Sequence, residues 1–259
     1  MRKRILSLLL SAACVFSLTI SAVAIDASTF IDAEDIQQQE AVTVLSALEV
    51  IDGMPDGSFS PAGLVTRAEA AKLLFVLAHG GQDAEYNPSF PADLLDISDH
   101  WAEKYITWCD KGGIIVGRGN GMFDPDGNIT SLEFAKMILV LLGYNADAYR
   151  LNGSRWGEKT YELSALQDDI KLYNGLPQEA VPYRDGKIYT AAPLSRENAA
   201  QMLYNALSAP VTVFLAIWGQ ESEGQFVNPM DENGVITLFR AAFPAYRNTE
   251  LSDLLTEQK

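Results

Sequence analysis

One period runs through most of this 259-residue chain. Asp56-Gly57-Ser58-Phe59-Ser60-Pro61 is followed by Leu64-Val65-Thr66-Arg67-Ala68-Glu69. Asn120-Gly121-Met122-Phe123-Asp124-Pro125 is followed by Asn128-Ile129-Thr130-Ser131-Leu132-Glu133. A third version reads Asp185-Gly186-Lys187-Ile188, then Pro193-Leu194-Ser195-Arg196-Glu197-Asn198. Asp56, Asn120 and Asp185 lie 64 and 65 residues apart, and Thr66, Thr130 and Ser195 keep the same two intervals. Two separate anchors on one period mark internal repetition. The consequence for folding is direct: a unit of about 60 residues is marginal alone, so the copies must share a core.

Each piece of the repeat has a physical reading. Asp-Gly and Asn-Gly favour tight turns because these residues tolerate positive φ. The apolar residue two places after the glycine (Phe59, Phe123, Ile188) can pin the turn to the core. Seven residues later comes Thr or Ser, a helix N-cap. Thr66 with Glu69, and Thr130 with Glu133, form capping boxes; at Ser195 the third residue is Asn198, which weakens the box. Apolar residues then recur at helical spacing: Ala70, Leu73, Leu74, Leu77; Phe134, Met137, Ile138, Leu141; Ala199, Met202, Leu203, Ala206. A second helix precedes each turn, marked by Ala41, Val44, Leu45, Leu48, by Trp101, Tyr105, Ile106, Cys109, and by Leu163, Leu166, Ile170, Tyr173. Each unit is therefore helix, loop with a short extended piece, and capped helix, and the fold class is mainly α.

The N-terminus carries an address rather than a fold. Arg2, Lys3 and Arg4 precede an apolar run that ends in Ala22-Val23-Ala24, the pattern of a secretory signal peptide over 1–24. That segment holds 3 of the 19 Lys and Arg and none of the 34 Asp and Glu, so cleavage takes the formal charge from −15 to −18. A surface this acidic repels nucleic acid and anionic membrane. Cleavage also leaves Cys109 as the single cysteine, so stability rests on packing and not on a disulfide. No later stretch approaches 18 uninterrupted apolar residues, and no membrane segment is expected after cleavage.

Motifs for chemistry are missing from the pattern. His79 and His100 stand at no metal-ligand spacing, and Asp124-Pro125-Asp126-Gly127-Asn128 has its glycine misplaced for a calcium loop. The chain shows no G-x-S-x-G elbow and no phosphate-binding loop. The reading is a non-enzyme with no cofactor and no metal.

The motifs Asp99-His100-Trp101-Ala102, Gly113-Ile114-Ile115-Val116-Gly117 and Val65-Thr66-Arg67-Ala68-Glu69 resemble those of S-layer homology domains. The resemblance covers about residues 30–210, with copy three the weakest. It implies three modules, 25–90, 91–150 and a divergent 151–210, packed as a pseudo-threefold prism around a central helical bundle. It implies grooves between modules that bind secondary cell-wall polysaccharide, often through a pyruvylated, acidic terminal sugar. By position, Arg67 and Arg196 would pair with the acid, while Gly53 and Gly117 would let the sugar reach the backbone. A helix N-terminus beside each arginine suits a carboxylate. Ser131 breaks the arginine pattern in copy two, and Gly175 is a loose match to the glycines. Trp101 fits two roles, stacking on a sugar or filling the core, and Trp156 is its counterpart in copy three. The protein is then expected to be secreted and attached to the bacterial wall or S-layer, with other envelope proteins as further partners. The alternative is a degenerate scaffold that binds an envelope protein instead of glycan. The extension 211–259 has apolar runs at Val211–Trp218 and Val235–Ala245, which either complete the repeats or begin a small effector unit.

Overall fold

The computed structural model describes residues 26–86, 92–189, 193–217, 220–232, 234–246 and 248–256. The leader expected over 1–24 lies outside them, as does Trp218. The architecture is mainly helical. Six helices carry the repeats: α1 (Gln39–Ala47), α2 (Arg67–Ala78), α3 (Glu103–Lys111), α4 (Ser131–Leu141), α5 (Trp156–Leu166) and α6 (Arg196–Leu207). A short hairpin, β1 (Tyr183–Arg184) with β2 (Lys187–Ile188), occupies the longer loop of the third copy. No helix among the described residues is long and apolar enough to cross a membrane.

The starts of α2, α4 and α6 are set by local chemistry. Thr66 Oγ1 accepts from Glu69 N while Glu69 Oε2 accepts from Thr66 N, and Thr130 with Glu133 repeats the exchange. Ser195 accepts from Asn198 N, without the return bond. Each such cap contributes about 1 kcal/mol. Preceding each cap, one backbone bond ties the three copies into a closed ring. Val65 N donates to Leu194 O (2.9 Å), Leu194 N to Ile129 O (3.0 Å), and Ile129 N to Val65 O (3.0 Å). Val65, Ile129 and Leu194 are themselves buried, so the ring is closed around apolar side chains.

Helix pairing crosses the repeat boundaries. α2 packs on α3, α4 on α5, and α6 returns to α1, while α4 touches both α2 and α6. A helix from one copy therefore completes its buried face only with a helix from the next. One apolar core runs through the whole assembly, including Phe59, Phe75, Phe123 and Phe134, each almost fully buried. Full burial of one such ring stabilises the fold by roughly 2–3 kcal/mol.

Two sequence expectations need correction. Trp101 lies before α3 rather than on its buried face, and 57% of it is exposed. The apolar stripe read as Leu163, Leu166, Ile170 and Tyr173 does not follow one helix. α5 stops at Leu166, which is exposed, and buries Gly157, Thr160 and Ser164 instead. Small side chains let α5 lie close against α4, so the packing face there is marked by size and not by hydrophobicity.

The extension joins the same core. β3 (Val213–Ile217) and β4 (Gln220–Val227) form an antiparallel hairpin, followed by the short pair β5 (Met230–Asp231) and β6 (Gly234–Val235). α7 (Leu238–Ala242) and α8 (Asp253–Thr256) come last. Thr212 N donates to Leu142 O (2.7 Å) and Leu238 N to Ala209 O (2.9 Å), so the segment seats on the C-terminal ends of α4 and α6. Leu238, Phe239, Phe243 and Leu254 are buried in the shared cluster.

Candidate functional site

Two cavities, of about 590 Å³ and 510 Å³, lie where neighbouring copies meet. Their linings share a common set of positions on the repeat period. In the larger, Arg196 enters from copy three over the Val50-Ile51-Asp52-Gly53 loop of copy one, with Glu69, Lys72 and Leu73 from α2 and Trp101 from the approach to α3. In the smaller, Arg67 enters from copy one over Ile114-Ile115-Val116-Gly117 of copy two, with Glu133, Lys136 and Met137 from α4 and Trp156 from α5. We call them the Arg196 groove and the Arg67 groove.

Each arginine is fixed by the copy it reaches into. Arg67 Nε donates to Phe123 O and Nη2 to Val116 O, both at 2.9 Å, and its guanidinium lies 4.4 Å from the centre of the Phe123 ring. Arg196 Nε donates to Phe59 O (2.9 Å) and Nη2 to Asp52 O (3.1 Å), 5.3 Å from the Phe59 ring. Burial holds both guanidinium groups below their ordinary pKa, with Arg118 adding repulsion at Arg67. An arginine stays charged regardless. The result is a positive group with its orientation set before any ligand arrives. Two carbonyls take part of its five-donor fork; at Arg67, Nη1 also lies 3.8 Å from Glu133 Oε1.

One carbonyl of each pair, Phe59 O and Phe123 O, lies in a turn held by an aspartate. Asp32 accepts from Phe59 N and Ser60 N, and Asp96 from Phe123 N and Asp124 N, all four bonds at 2.7 Å. Burial opposes ionisation of Asp96, but the bonds from Phe123 and Asp124 outweigh it and hold the carboxyl below its ordinary value. Sequence reasoning missed both aspartates. The signal was present: Asp32 and Asp96 are 64 residues apart, on the repeat period. Lys72 and Lys136 share that interval and were missed in the same way.

The glycines have a packing reason of their own. A Cβ at Gly53 would stand 2.6 Å from the Phe30 ring, and one at Gly117 would stand 2.8 Å from Met122 O. Both are required by the turn behind the groove floor. Gly175 differs. Its φ is +79°, and its carbonyl accepts from Gln38 Nε2 (2.7 Å). Ser131, where an arginine would serve that third junction, is 1% exposed and does not reach out. Val50 N bonds Leu45 O as Ile114 N bonds Cys109 O, which sets Gln37 in the place of Trp101. The third junction therefore lacks both the arginine and the ring. Trp101 lines the Arg196 groove with Gly53, while the ring beside Gly117 is Trp156.

Other candidate chemistry has structural uses. His100 Nε2 lies 3.3 Å from Asp126, His79 Nδ1 lies 2.7 Å from Phe75 O, and Gly127 N donates to Asp124 O in a turn. The Cys109 thiol is buried, which raises its pKa strongly. Among the described residues, no three His, Cys, Asp or Glu side chains form a cluster that could hold a metal.

Inter-copy grooves built on a turn, a capped helix and a fixed arginine define the class. The S-layer homology domain matches this chain at residues 29–71 and 94–135, and the chain carries that domain twice in these segments. The third copy lies outside the matched residues. Among similar proteins is a cell wall amidase of Bacillus anthracis, 32% identical over 150 residues, covering 57% of this chain and 26% of that protein. S-layer protein EA1 of the same species is 31% identical over 118 residues, 46% of this chain and 12% of the relative. A cellulosome-anchoring protein of Acetivibrio thermocellus is 31% identical over 98 residues, 38% and 22% respectively. The matches span about a quarter or less of these relatives. With that domain and these relatives, the chain is a cell-wall-attached surface protein.

Proposed function

We propose that this protein is a non-catalytic wall anchor whose Arg67 and Arg196 grooves bind secondary cell-wall polysaccharide, including its pyruvylated, acidic sugar ends. The observation that carries the reading is the repeated cradle of an arginine, buried at Arg67 and half-buried at Arg196, held over a ring by two carbonyls beside a tryptophan. Such a cradle supplies a charge-assisted donor for a carboxylate and an apolar face for a sugar ring. The relatives named for S-layers and for cellulosome anchoring support attachment to the wall. The amidase relative does not extend the reading to catalysis, because the match covers 26% of that protein.

The finer architecture belongs to the same proposal. The ring of Val65, Leu194 and Ile129 and the cyclic pairing of α2–α3, α4–α5 and α6–α1 support three modules arranged as a pseudo-threefold prism. The modules are 25–90, 91–150 and 151–210, with 211–259 seated on one end. The third junction, without arginine or ring, binds no acidic sugar.

Co-sedimentation of residues 25–259 with purified wall sacculi tests the proposal. The protein is expected in the pellet, and walls stripped of their secondary polysaccharide should leave it in solution. Failure to pellet with intact walls overturns the reading. Pelleting that survives removal of the polysaccharide, but is lost when wall-associated proteins are digested, would favour a protein partner.

A further inference from the structure

The two grooves share a backbone plan but differ in charge. The Arg67 groove is lined by three cations, Arg67, Arg118 and Lys136, against one carboxylate, Glu133. The Arg196 groove is lined by two cations, Arg196 and Lys72, against four carboxylates: Glu49, Asp52, Glu69 and Asp83. In a chain of formal charge −15, the first is a local exception.

The difference traces to one position above the others. Arg118 follows Gly117, and Met54 follows Gly53. Arg118 Nη1 donates to Glu133 Oε1 at 2.6 Å, and its Nε stands 3.8 Å from Asp124, just outside the lining. Glu133 is thereby neutralised while its other oxygen caps α4. Glu69, its counterpart, also caps its helix but enters no ion pair among the described residues. One turn along α4 from Glu133, Lys136 Nζ donates to Asn152 Oδ1 (2.8 Å) and lies 5.7 Å from the Trp156 ring. Burial holds Lys136 below its ordinary pKa, as burial and then repulsion from Arg118 do for Arg67. Cations gathered and partly desolvated in this way gain from an incoming anion; in the Arg196 groove Asp83 is already held by Lys104 (2.7 Å), but Glu49, Asp52 and Glu69 enter no ion pair among the described residues and repel one.

We infer that the grooves divide the polymer between them: the Arg67 groove takes its carboxylate-bearing sugar, with Arg118 and Lys136 setting that specificity, and the Arg196 groove takes only neutral residues. This inference rests on the glycan-anchor reading above and refines it. Arg118 becomes the discriminating residue, because Arg67 and Arg196 make the same pair of carbonyl bonds and differ only in the 3.8 Å approach of Arg67 Nη1 to Glu133, a carboxylate that Arg118 also holds. Trp101, exposed at the mouth of the Arg196 groove, provides an apolar face for an uncharged sugar ring.

The test uses residues 25–259 and two probes, methyl N-acetylmannosaminide with and without a 4,6-pyruvate ketal. Isothermal titration should show one site for the pyruvylated probe. Arg118→Met, which gives the position its Met54 counterpart, should weaken that site ten-fold or more. Arg118 is 42% exposed on its side chain and the variant should keep its near-ultraviolet circular dichroism. The reciprocal Met54→Arg with Asp52→Asn should create a second pyruvylated-sugar site. Arg196→Ala should leave the first site within two-fold and still reduce wall pelleting. Two equal sites in the wild type, or loss of the site in Arg196→Ala but not in Arg118→Met, overturns the inference and leaves the anchor reading standing. Wall pelleting without any binding of the pyruvylated probe also overturns it. Absence of both pelleting and probe binding overturns the anchor reading and the inference with it.

Discussion

Replacing Asp96 with Ala should both destabilise the protein and loosen its Arg67 groove, through one short chain of contacts. Asp96 holds Phe123 N and Asp124 N at 2.7 Å each, Phe123 O receives Arg67 Nε, and the Phe123 ring lies under the guanidinium. Bonds from backbone amides to a charged acceptor contribute about 1.5–3 kcal/mol each when buried. Asp96 is only half-buried, so water recovers part of that loss. A total cost of about 2 kcal/mol is expected. In a chain of this size that corresponds to a fall in Tm of roughly 4–8 °C, and urea denaturation should show a lower midpoint with an unchanged slope. The site effect is separate. With the turn released, Arg67 loses its fixed orientation, and wall binding should weaken further than the population of unfolded protein explains. Asp32→Ala should do the same to Phe59 and Arg196, with a similar loss of stability. A change in stability below about 0.5 kcal/mol, the range of an ordinary surface substitution, would refute the reasoning. So would a stability loss with binding per folded molecule unchanged.

Four further outcomes follow from named contacts. The Asp96 and Asp83 carboxyls are both held below their ordinary values in the folded protein, Asp83 chiefly by its bond from Lys104. Stability should therefore be fully present above the unfolded value of about 3.9 and be lost as pH falls through the folded values, and Asp96→Asn should flatten that decline in acid denaturation monitored by circular dichroism. Thr130→Ala removes one half of a capping box and should cost about 1 kcal/mol in urea titration. Ile129→Ala empties a fully buried position beside the backbone ring and should cost about 2–5 kcal/mol by the same assay. In residues 25–259, Cys109 should resist a thiol reagent in the native state and react once per chain in urea, because it is buried with a raised thiol pKa.

Local chemistry made the capped helices legible. A Thr or Ser with Glu three residues on, followed by apolar residues at helical spacing, describes α2, α4 and, less strictly, α6, and nothing distant competes with it. The first helices were harder, because a stripe of apolar residues reports packing only when packing uses apolar residues. α5 buries Gly157, Thr160 and Ser164, and the stripe misled. The arginines of the two grooves stood out by position, but which glycine each one serves did not. Arg67 reaches forward to Val116 and Arg196 back to Asp52, so each groove joins two copies that a reading along the chain treats separately. Arg118 carried no repeat signal at all, since its counterpart is Met54.

The ring of bonds through Val65, Leu194 and Ile129 has no free donor or acceptor at which another copy could add. An open solenoid lengthens by one repeat and gains one more surface of the same kind. Here copy number is a closed quantity, as it is for subunits in a cyclic oligomer. Duplication or loss of a single copy would leave a helix without its partner and an arginine without its floor. Change in such a protein is confined to editing copies in place, and the junction at Ser131, which has neither arginine nor ring, still takes its part in the closure.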